Sequence, residues 1–467
     1  MTEKIKNRQE LLSYGDIESK RIVLDITEAT LQELDAYKRI KDIMSLEGDT
    51  LFIGTREWDL SKKKNVYLIG AGKACNAMAK AVDEILGERL TAGIAIVKIK
   101  EDRDTFNKTE VFVGGHPIPN EDGLKACLKV LEIVDHANSD DLFIAVMSGG
   151  SSALMSCPVH GISLADEILT TDIMLKSGAG ILEINAIRRH ISQMNGGNLA
   201  KRIQMRGAEL IGFSIYDIVG FPATECAEEP YNDFTGTPIG ADQTTLEDAR
   251  RVIHDYDVED RLPKSVISYL NNCGNDGETP KTFPDFTYFV LNSVPDSCIY
   301  AKKIAREMGI PAIILTSFLE GESKDAGTIF GGIAREIQEN GNPIMPPCII
   351  LSSGESTTKI LDSKEIMGHG GPSQEMTASF AITAAKTDGA CILSIDTEGS
   401  DGTTMLAGGI TDSKTYNLAC ERNIDFYAAL RGHATCEALT ALGAGVVTGN
   451  TGTNVCDFNI MYVPEKK

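Results

Sequence analysis

The chain has 467 residues, more than one ordinary hydrophobic core supports, so two domains are expected. Its hydrophobic fraction of 42% and charged fraction of 24% are those of a globular chain, and a single tryptophan leaves no aromatic platform for nucleic acid or glycan. The net charge of −22 repels polyanions, which sets DNA and RNA aside; a phosphorylated small molecule would need local Lys, Arg or Mg²⁺ to offset that field.

Residues Arg8 to Ile40 read as helical. The strand Val66–Ile69 then runs into Gly70-Ala71-Gly72-Lys73 and a helix from Ala74 to Leu86, a strand–turn–helix unit. Apolar runs at Ala92–Ile99 and Glu110–Val113 follow, then a helix over Gly123–His136 and a buried strand at Leu142–Met147 ending in Ser148-Gly149-Gly150-Ser151-Ser152. Helices are expected over Ser163–Ser177, with Ser163 as N-cap, and over Ile181–Ile203, then a strand at Glu209–Ser214. Phe221–Asp242, rich in Pro, Gly, Thr and acids, reads as a long irregular loop with a domain boundary near its end. Leu246–Leu270 reads as helix, and strands are expected at Tyr288–Leu291, Ala312–Leu315, Cys348–Leu351 and Cys391–Ile395. Strands alternating with helices argue an α/β fold with mostly parallel sheets covered on both faces.

The 11 cysteines are scattered, with no CxxC pair, so neither zinc site nor disulfide framework is expected. The polar start Met1-Thr2-Glu3-Lys4-Ile5-Lys6 has no signal-like apolar stretch, and no run approaches the roughly 18 apolar residues of a membrane helix. A soluble, cytoplasmic protein with no membrane partner is expected.

Chemistry concentrates where apolar runs end in glycine-rich turns. Bare backbone N–H groups converge in such turns and make anion sites. Lys73 stands at the mouth of one, placed to meet a phosphate beside Gly70 and Gly72, although Cys75 occupies the third glycine position of a dinucleotide fingerprint and the Walker spacing is absent. Ser148, Gly149, Gly150 and Ser151 offer a second such turn. It also approximates a nucleophile elbow with Ser151 as nucleophile, and His160, His190, His254, His369 and His433 all follow it in the chain. Arg188 lies in a cationic run, Arg188-Arg189-His190, on an expected helix. The turn after Ile395 carries Asp401 and other oxygen donors suited to Mg²⁺ or to a general base, and Asp217 and Glu355 are further carboxylate candidates. His116 and His369 read as turn residues rather than metal ligands. Further glycine-rich turns hold Gly354 with Glu355, Gly368-His369-Gly370-Gly371 after a strand-like stretch, and Thr451 with Asn454.

In this order, Gly70-Ala71-Gly72-Lys73-Ala74, Gly115-His116-Pro117-Ile118-Pro119, Ser148-Gly149-Gly150-Ser151-Ser152-Ala153, Ile184 to His190, Ser353-Gly354-Glu355-Ser356-Thr357, Thr397 to Thr404 and Gly449 to Val455 resemble the glycerate 2-kinase family, whose C-terminal part is the MOFRL region. The resemblance implies two unlike α/β domains, each a mostly parallel or mixed sheet flanked by helices, with an interdomain cleft. Residues 1–243 would form a Rossmann-like domain and 244–467 the MOFRL-like domain, its last segment returning toward the first. It implies ATP- and Mg²⁺-dependent phosphorylation of the 2-hydroxyl of glycerate or a related small sugar acid. Lys73 and Arg188 would be catalytic cations. Asp217 and Asp401 would hold the metal or orient the hydroxyl, and Gly70, Gly72, Ser148, Gly149, Gly150, Ser151, Gly354, Glu355, Thr451 and Asn454 would bind the nucleotide. The implied partners are a hydroxy acid and a nucleotide, with a homodimer possible. Two departures stand out: Pro372 where the family reads arginine in G-G-R-N-Q-E, and Phe221 where it reads a second acid in S-D-V-x-G-D. The alternatives are a hydroxypyruvate-type reductase using NAD(P)H at Gly70-Ala71-Gly72, with Glu88 near the ribose-acid spacing, a serine esterase using Ser151, and a binding protein without turnover.

Overall fold

A computed structural model describes residues 3–101, 105–221, 223, 237–283, 286–360 and 366–466. The chain divides into two compact units, one from Arg39–Ile215 with Cys226–Leu291 and the other from Met1–Lys38, Tyr216–Glu225 and Asn292–Lys467. The expected division lies at 243/244. The second strand series begins the second unit only at Asn292, and it is the first segment of the chain, not the last, that joins a distant partner.

The first unit is built on a six-stranded sheet. Its strands are β4 (Asn65–Ala71), β5 (Ala92–Val97), β6 (Thr109–Val113), β7 (Asp141–Met147), β8 (Glu209–Ile215) and β9 (Thr287–Asn292), and they lie in the order β6-β5-β4-β7-β8-β9. The ladders joining β6, β5, β4, β7 and β8 are all parallel. Every residue of β7 is buried, as expected of a strand covered on both faces. Ahead of this sheet, β1 (Met44–Glu47), β2 (Thr50–Ile53) and β3 (Arg56–Asp59) form a small antiparallel meander. These short half-exposed strands are absent from the sequence reading.

Two expected helices are broken. The one placed over Ile181–Ile203 is two, Ile181–His190 and Asn198–Met205, because Gly196 and Gly197 take φ of +69° and +77° between them. The one placed over Leu246–Leu270 is Leu246–Asp255 and Lys264–Asn272, with Asp257 at φ +50° and Pro263 ahead of the second piece. Ser163 caps Leu164–Ser177 as expected, accepting from the Asp166 N–H at 3.1 Å. The helix Glu121–His136 is tied to Asn198–Met205 by Asp135, whose two carboxylate oxygens accept from Arg202 at 2.8 and 2.6 Å. Most of the long loop expected over Phe221–Asp242 lies outside the described residues.

The second unit has a mixed six-stranded sheet. β10 (Ala312–Glu322), β11 (Cys348–Thr357), β12 (Cys391–Asp396), β13 (Gly408–Asp412), β14 (Gly445–Val446) and β15 (Asp457–Val463) lie in the order β10-β11-β15-β12-β13-β14. β10 and β11 are parallel and the other ladders antiparallel. The helix Ile17–Leu34 covers one face, burying Val23, Leu24 and Leu31 in one cluster with Leu393, Ile395, Phe458 and Ile460. Phe330, Met376 and Phe380, from the helices Ser323–Asn340 and Pro372–Ala384, cover the other against Ile350, Ile392 and Met461. Asp412 anchors the N-terminal segment: its Oδ2 accepts from the Asp16 N–H at 2.7 Å and lies 3.8 Å from the buried Lys20 ammonium. That ammonium sits 3.5 Å from the Tyr14 ring centroid, and burial lowers its pKa. Among the described residues no helix is long and apolar enough to cross a membrane, and the ten described cysteines are free thiols.

Leu24, wholly buried, should lose about 2–5 kcal/mol of stability as Leu24→Ala, against less than about 0.5 kcal/mol for Leu182→Ala at a site 73% exposed, both read from urea unfolding by circular dichroism. Hydrogen bonds from Arg202 hold the Asp135 carboxyl down at about 2, against an unfolded value of 3.8. Its contribution to stability is therefore present above about pH 4 and lost as pH falls toward 2, and Asp135→Asn should flatten the stability profile in that window.

Candidate functional site

The strand order of the first unit reverses between β4 and β7: successive strands run outward from β4 through β5 to β6 on one side and from β7 through β8 to β9 on the other. This is the 3-2-1-4-5-6 order of dinucleotide-binding sheets, in which ligands lie outside the carboxyl ends of the strands at the reversal. The two turns at that point are those carrying Lys73 and Ser148.

They interlock backbone to backbone. The Ser148 N–H donates to the Ala71 carbonyl at 3.1 Å, the Lys73 N–H to the Gly149 carbonyl at 2.9 Å, and the Ala74 N–H to Ser148 Oγ at 3.0 Å. A Cβ on Gly72, at φ +131°, would lie 2.1 Å from Ser148 Oγ and 2.6 Å from the Ser148 carbonyl oxygen, so only glycine fits. The Lys73 stem crosses Gly150: a Cβ there would meet Lys73 Cγ at 3.3 Å and His116 Nε2 at 3.1 Å. Gly70 is similarly enclosed, its missing Cβ directed at Cys75 Sγ and Val146. Lys73 itself is half-buried.

Arg188 reaches this turn from the helix Ile181–His190. Its guanidinium donates to the Ser152 carbonyl at 3.4 Å and to Asn185 Oδ1 at 3.3 Å, and Asn195 Nδ2 donates to the same Ser152 carbonyl at 3.1 Å. These are long contacts for a guanidinium with five donors. Burial lowers the Arg188 pKa, while the buried Glu167 raises it. Glu167 accepts from the Ser156 hydroxyl at 2.6 Å. Ser151 heads the four-residue helix Ser151–Leu154, and among the described residues no histidine hydrogen-bonds its hydroxyl, so the esterase dyad is not formed.

In the second unit three neighbouring strands end in carboxylates at one edge of the sheet. Asp457 at the start of β15 stands opposite Asp396 of β12 and Gly354 of β11, and Glu355 follows Gly354. Asp217 joins them: its Oδ2 accepts from Asn454 Nδ2 at 2.8 Å and its carbonyl from the Cys456 thiol at 2.8 Å. Burial pushes that thiol far up, helped by Asp217, Glu355, Asp457 and Asp396. Burial, then Asp401, pushes the Asp457 carboxyl up to about 7.

Asp401 is itself buried and raised to about 7 by that burial. Its oxygens are occupied: Oδ2 accepts from the Gln374 N–H at 2.9 Å and Gln374 Nε2 at 3.0 Å, and Oδ1 from the Ser373 N–H at 3.3 Å. It caps the helix Pro372–Ala384, whose first position is Pro372. The residue that departs from the family motif thus sits where proline suits a helix start. The strand-like stretch expected before Gly368 falls partly on 361–365, outside the described residues; β11 ends at Thr357.

Residues 22–271 match a domain of unknown function (DUF4147), and 348–457 match the MOFRL family. The chain is 36% identical to a glycerate 2-kinase of Pyrococcus horikoshii over 96% of this chain and 98% of that one. The chain belongs to the glycerate 2-kinase family. It is also 33% identical to a putative hydroxypyruvate reductase of Agrobacterium vitis over 85% of this chain and 86% of that one. The crystal structure of a glycerate kinase from Thermotoga maritima superposes with a TM-score of 0.79 at 30% identity, covering 95% of this chain and 99% of that one.

Within this family member Gly70, Gly72, Lys73, Ser148, Gly149, Gly150, Ser151 and Arg188 gather around the interlocked turns. Asp217 and Asn454 meet in the second unit beside exposed Glu355. Thr451 turns inward, its hydroxyl donating to the Thr397 carbonyl and its carbonyl accepting from Lys4 Nζ at 2.6 Å. Asp457, Asn195 and Glu167 are missing from the sequence reading, and Asp396 and Cys456 are not singled out there as site candidates. The alternating run Asp457-Phe458-Asn459-Ile460-Met461-Tyr462 reads as a strand and would have located Asp457.

Gly72→Ala should lower stability by about 2 kcal/mol or more, because strain at positive φ adds to a clash with backbone. Gly332→Ala, on an open helical surface, should be neutral or stabilising by up to about 1 kcal/mol; paired urea melts of the two variants check the difference.

Proposed function

We propose that the chain transfers the γ-phosphoryl group of ATP to the 2-hydroxyl of glycerate or a closely similar small hydroxy acid. The observation that carries the reading is the pair of interlocked glycine turns at the β4/β7 reversal, with Lys73 rising from one of them. Phosphoryl transfer asks mainly for positioning and for positive charge on the moving group's oxygens. Backbone N–H groups of the turn beginning at Ser148 and the Lys73 ammonium supply both. Arg188, held only by long contacts, has donors for the acid's carboxylate or a phosphate oxygen.

In the reaction the hydroxyl oxygen forms a bond to the γ-phosphorus. The bond from that phosphorus to the β–γ bridging oxygen breaks, ADP leaves, and the hydroxyl proton passes to a carboxylate. Asp217, half-buried and oriented by Asn454, is the candidate to receive it. Asp401, with its oxygens on Ser373 and Gln374, fixes the loop to the helix start instead. The carboxylate edge offers oxygen donors in Asp217 and Glu355, the type a hard cation requires. Among the described residues no three His, Cys, Asp or Glu side chains converge to cage an ion, which fits Mg²⁺, since it completes its shell with phosphate oxygens and water. Asp217 and Glu355 would hold it, and it would withdraw charge from the phosphate oxygens.

A reductase reading draws on the strand order and on the name of the Agrobacterium relative. Against it, Cys75 fills the third glycine position. The end of β5, where a ribose-binding acid would stand, carries Lys98 and Lys100, and Glu88 lies before that strand, paired with Lys108 at 3.1 Å.

With Mg²⁺-ATP and a panel of small sugar acids, one member should be phosphorylated, detected as ADP formation that requires the acid; ADP formation with none of them sinks the kinase reading. Lys73→Ala should then reduce kcat by about 10²–10³-fold with little change in KM, while Lys62→Ala, at an exposed site, should leave both unchanged. Saturable quenching of protein fluorescence by NADH would favour the reductase.

A further inference from the structure

The first unit holds a cavity of about 470 Å³ that takes no part in the site above. Its walls come from the segment after the helix Ile181–His190, from Asn198–Met205 with Arg206, from Asp135, and from the Tyr269–Gly277 region. Asp135 precedes the start of β7, and Arg206 the start of β8. Lys73, Ser148 and Arg188 are not among its lining residues.

The volume is that of a small-molecule site. Three cations, Lys201, Arg202 and Arg206, line it in a chain of net charge −22, facing Asp135 and Asp276. Arg202 gives three of its five donors to Asp135 and to Gln193 Oε1, the last at 3.4 Å, and is the most engaged of the three. Lys201 gives one of its three donors to the Glu278 carbonyl, at 3.3 Å, and Arg206 gives one of its five to Asp135, at 2.9 Å. His190, the remaining titratable group on this wall, is fully engaged, Nδ1 with the Ala186 carbonyl and Nε2 with Glu278. Asp276 lies on the Tyr269 side. The apolar lining is Val159, the Tyr269 ring and Met205, which is 76% exposed with no interior to fill. Spare cationic donors beside an exposed apolar wall match a ligand with an anionic head and an apolar body.

We propose that this cavity is a second ligand site, distinct from the Lys73 turn, that takes a small organic anion on Lys201 and Arg206 with its apolar body against Met205, Val159 and Tyr269. The site neither requires nor depends on the phosphotransferase reading, and its test is binding rather than turnover.

The test is calorimetric titration of the full chain with phenyl phosphate, with inorganic phosphate as the probe lacking an apolar body. Phenyl phosphate should bind saturably and about tenfold or more tightly than inorganic phosphate. Lys201→Glu with Arg206→Glu should weaken phenyl phosphate at least about tenfold, and Lys73→Ala should leave that binding in place. Met205→Trp, which fills the mouth without touching the charges, should give a similar loss and decides the matter if the charge variant fails to fold. Affinity unchanged by both sets of substitutions, binding abolished by Lys73→Ala, or no saturable binding of phenyl phosphate overturns the proposal.

Discussion

The site rests on the closeness of two backbones. β4 and β7 are adjacent and parallel, so their turns emerge side by side, and the chain brings them into direct contact instead of leaving room for side chains between them. Gly72 is the residue that makes this possible, since any Cβ there would overlap Ser148. The contact sets the base of the Lys73 side chain against Gly150. A lysine on a loosely held loop would carry the same charge, but it would have to be reoriented at each encounter. Here much of that ordering is already built into the fold.

The second unit solves a different problem with the same economy of position. Its sheet edge collects acids from strands that are neighbours in space and distant in sequence, so that Asp396 and Asp457 stand in register although they come from opposite sides of a long insertion. Burial raises the Asp457 carboxyl, and the charges of Asp401 and Glu355 add to the effect. The structure answers by giving Asp457 the Ser356 N–H and hydroxyl, at 2.9 and 2.7 Å, and Asp401 the start of a helix. Pro372 belongs to this arrangement. It supplies a rigid first turn to a helix whose Ser373 and Gln374 N–H groups hold the Asp401 loop.

Much of this was legible from residue patterns. Strands that are apolar throughout, such as Leu142–Met147, and turns marked by glycine after them, announce themselves because both faces of the sheet are covered. The meander of β1 to β3 did not, since strands of four residues with mixed exposure carry too little periodicity. Gly196 and Gly197 end a helix that the surrounding apolar spacing would have continued. The place of the N-terminal helix was not legible for a further reason: no local feature of Ile17–Leu34 says that its apolar face is matched to strands more than three hundred residues later. Asp217 and Asn454 could be named separately, but their partnership exists only in three dimensions.

That distant match governs how the molecule comes into being. A ribosome releases Ile17–Leu34 well over two hundred residues before Cys298, Ala301 and Ala305 and still longer before β15, so during synthesis the oily side of this helix waits for its cover. The parallel-sheet unit lies wholly between the two halves of that partnership and can be finished in the meantime. The second unit is accordingly a clasp closed by segments far apart in the chain. A gene fragment beginning after the first unit would encode most of its strands without the helix that shields them, whereas joining the two ends and opening the chain elsewhere would preserve the clasp.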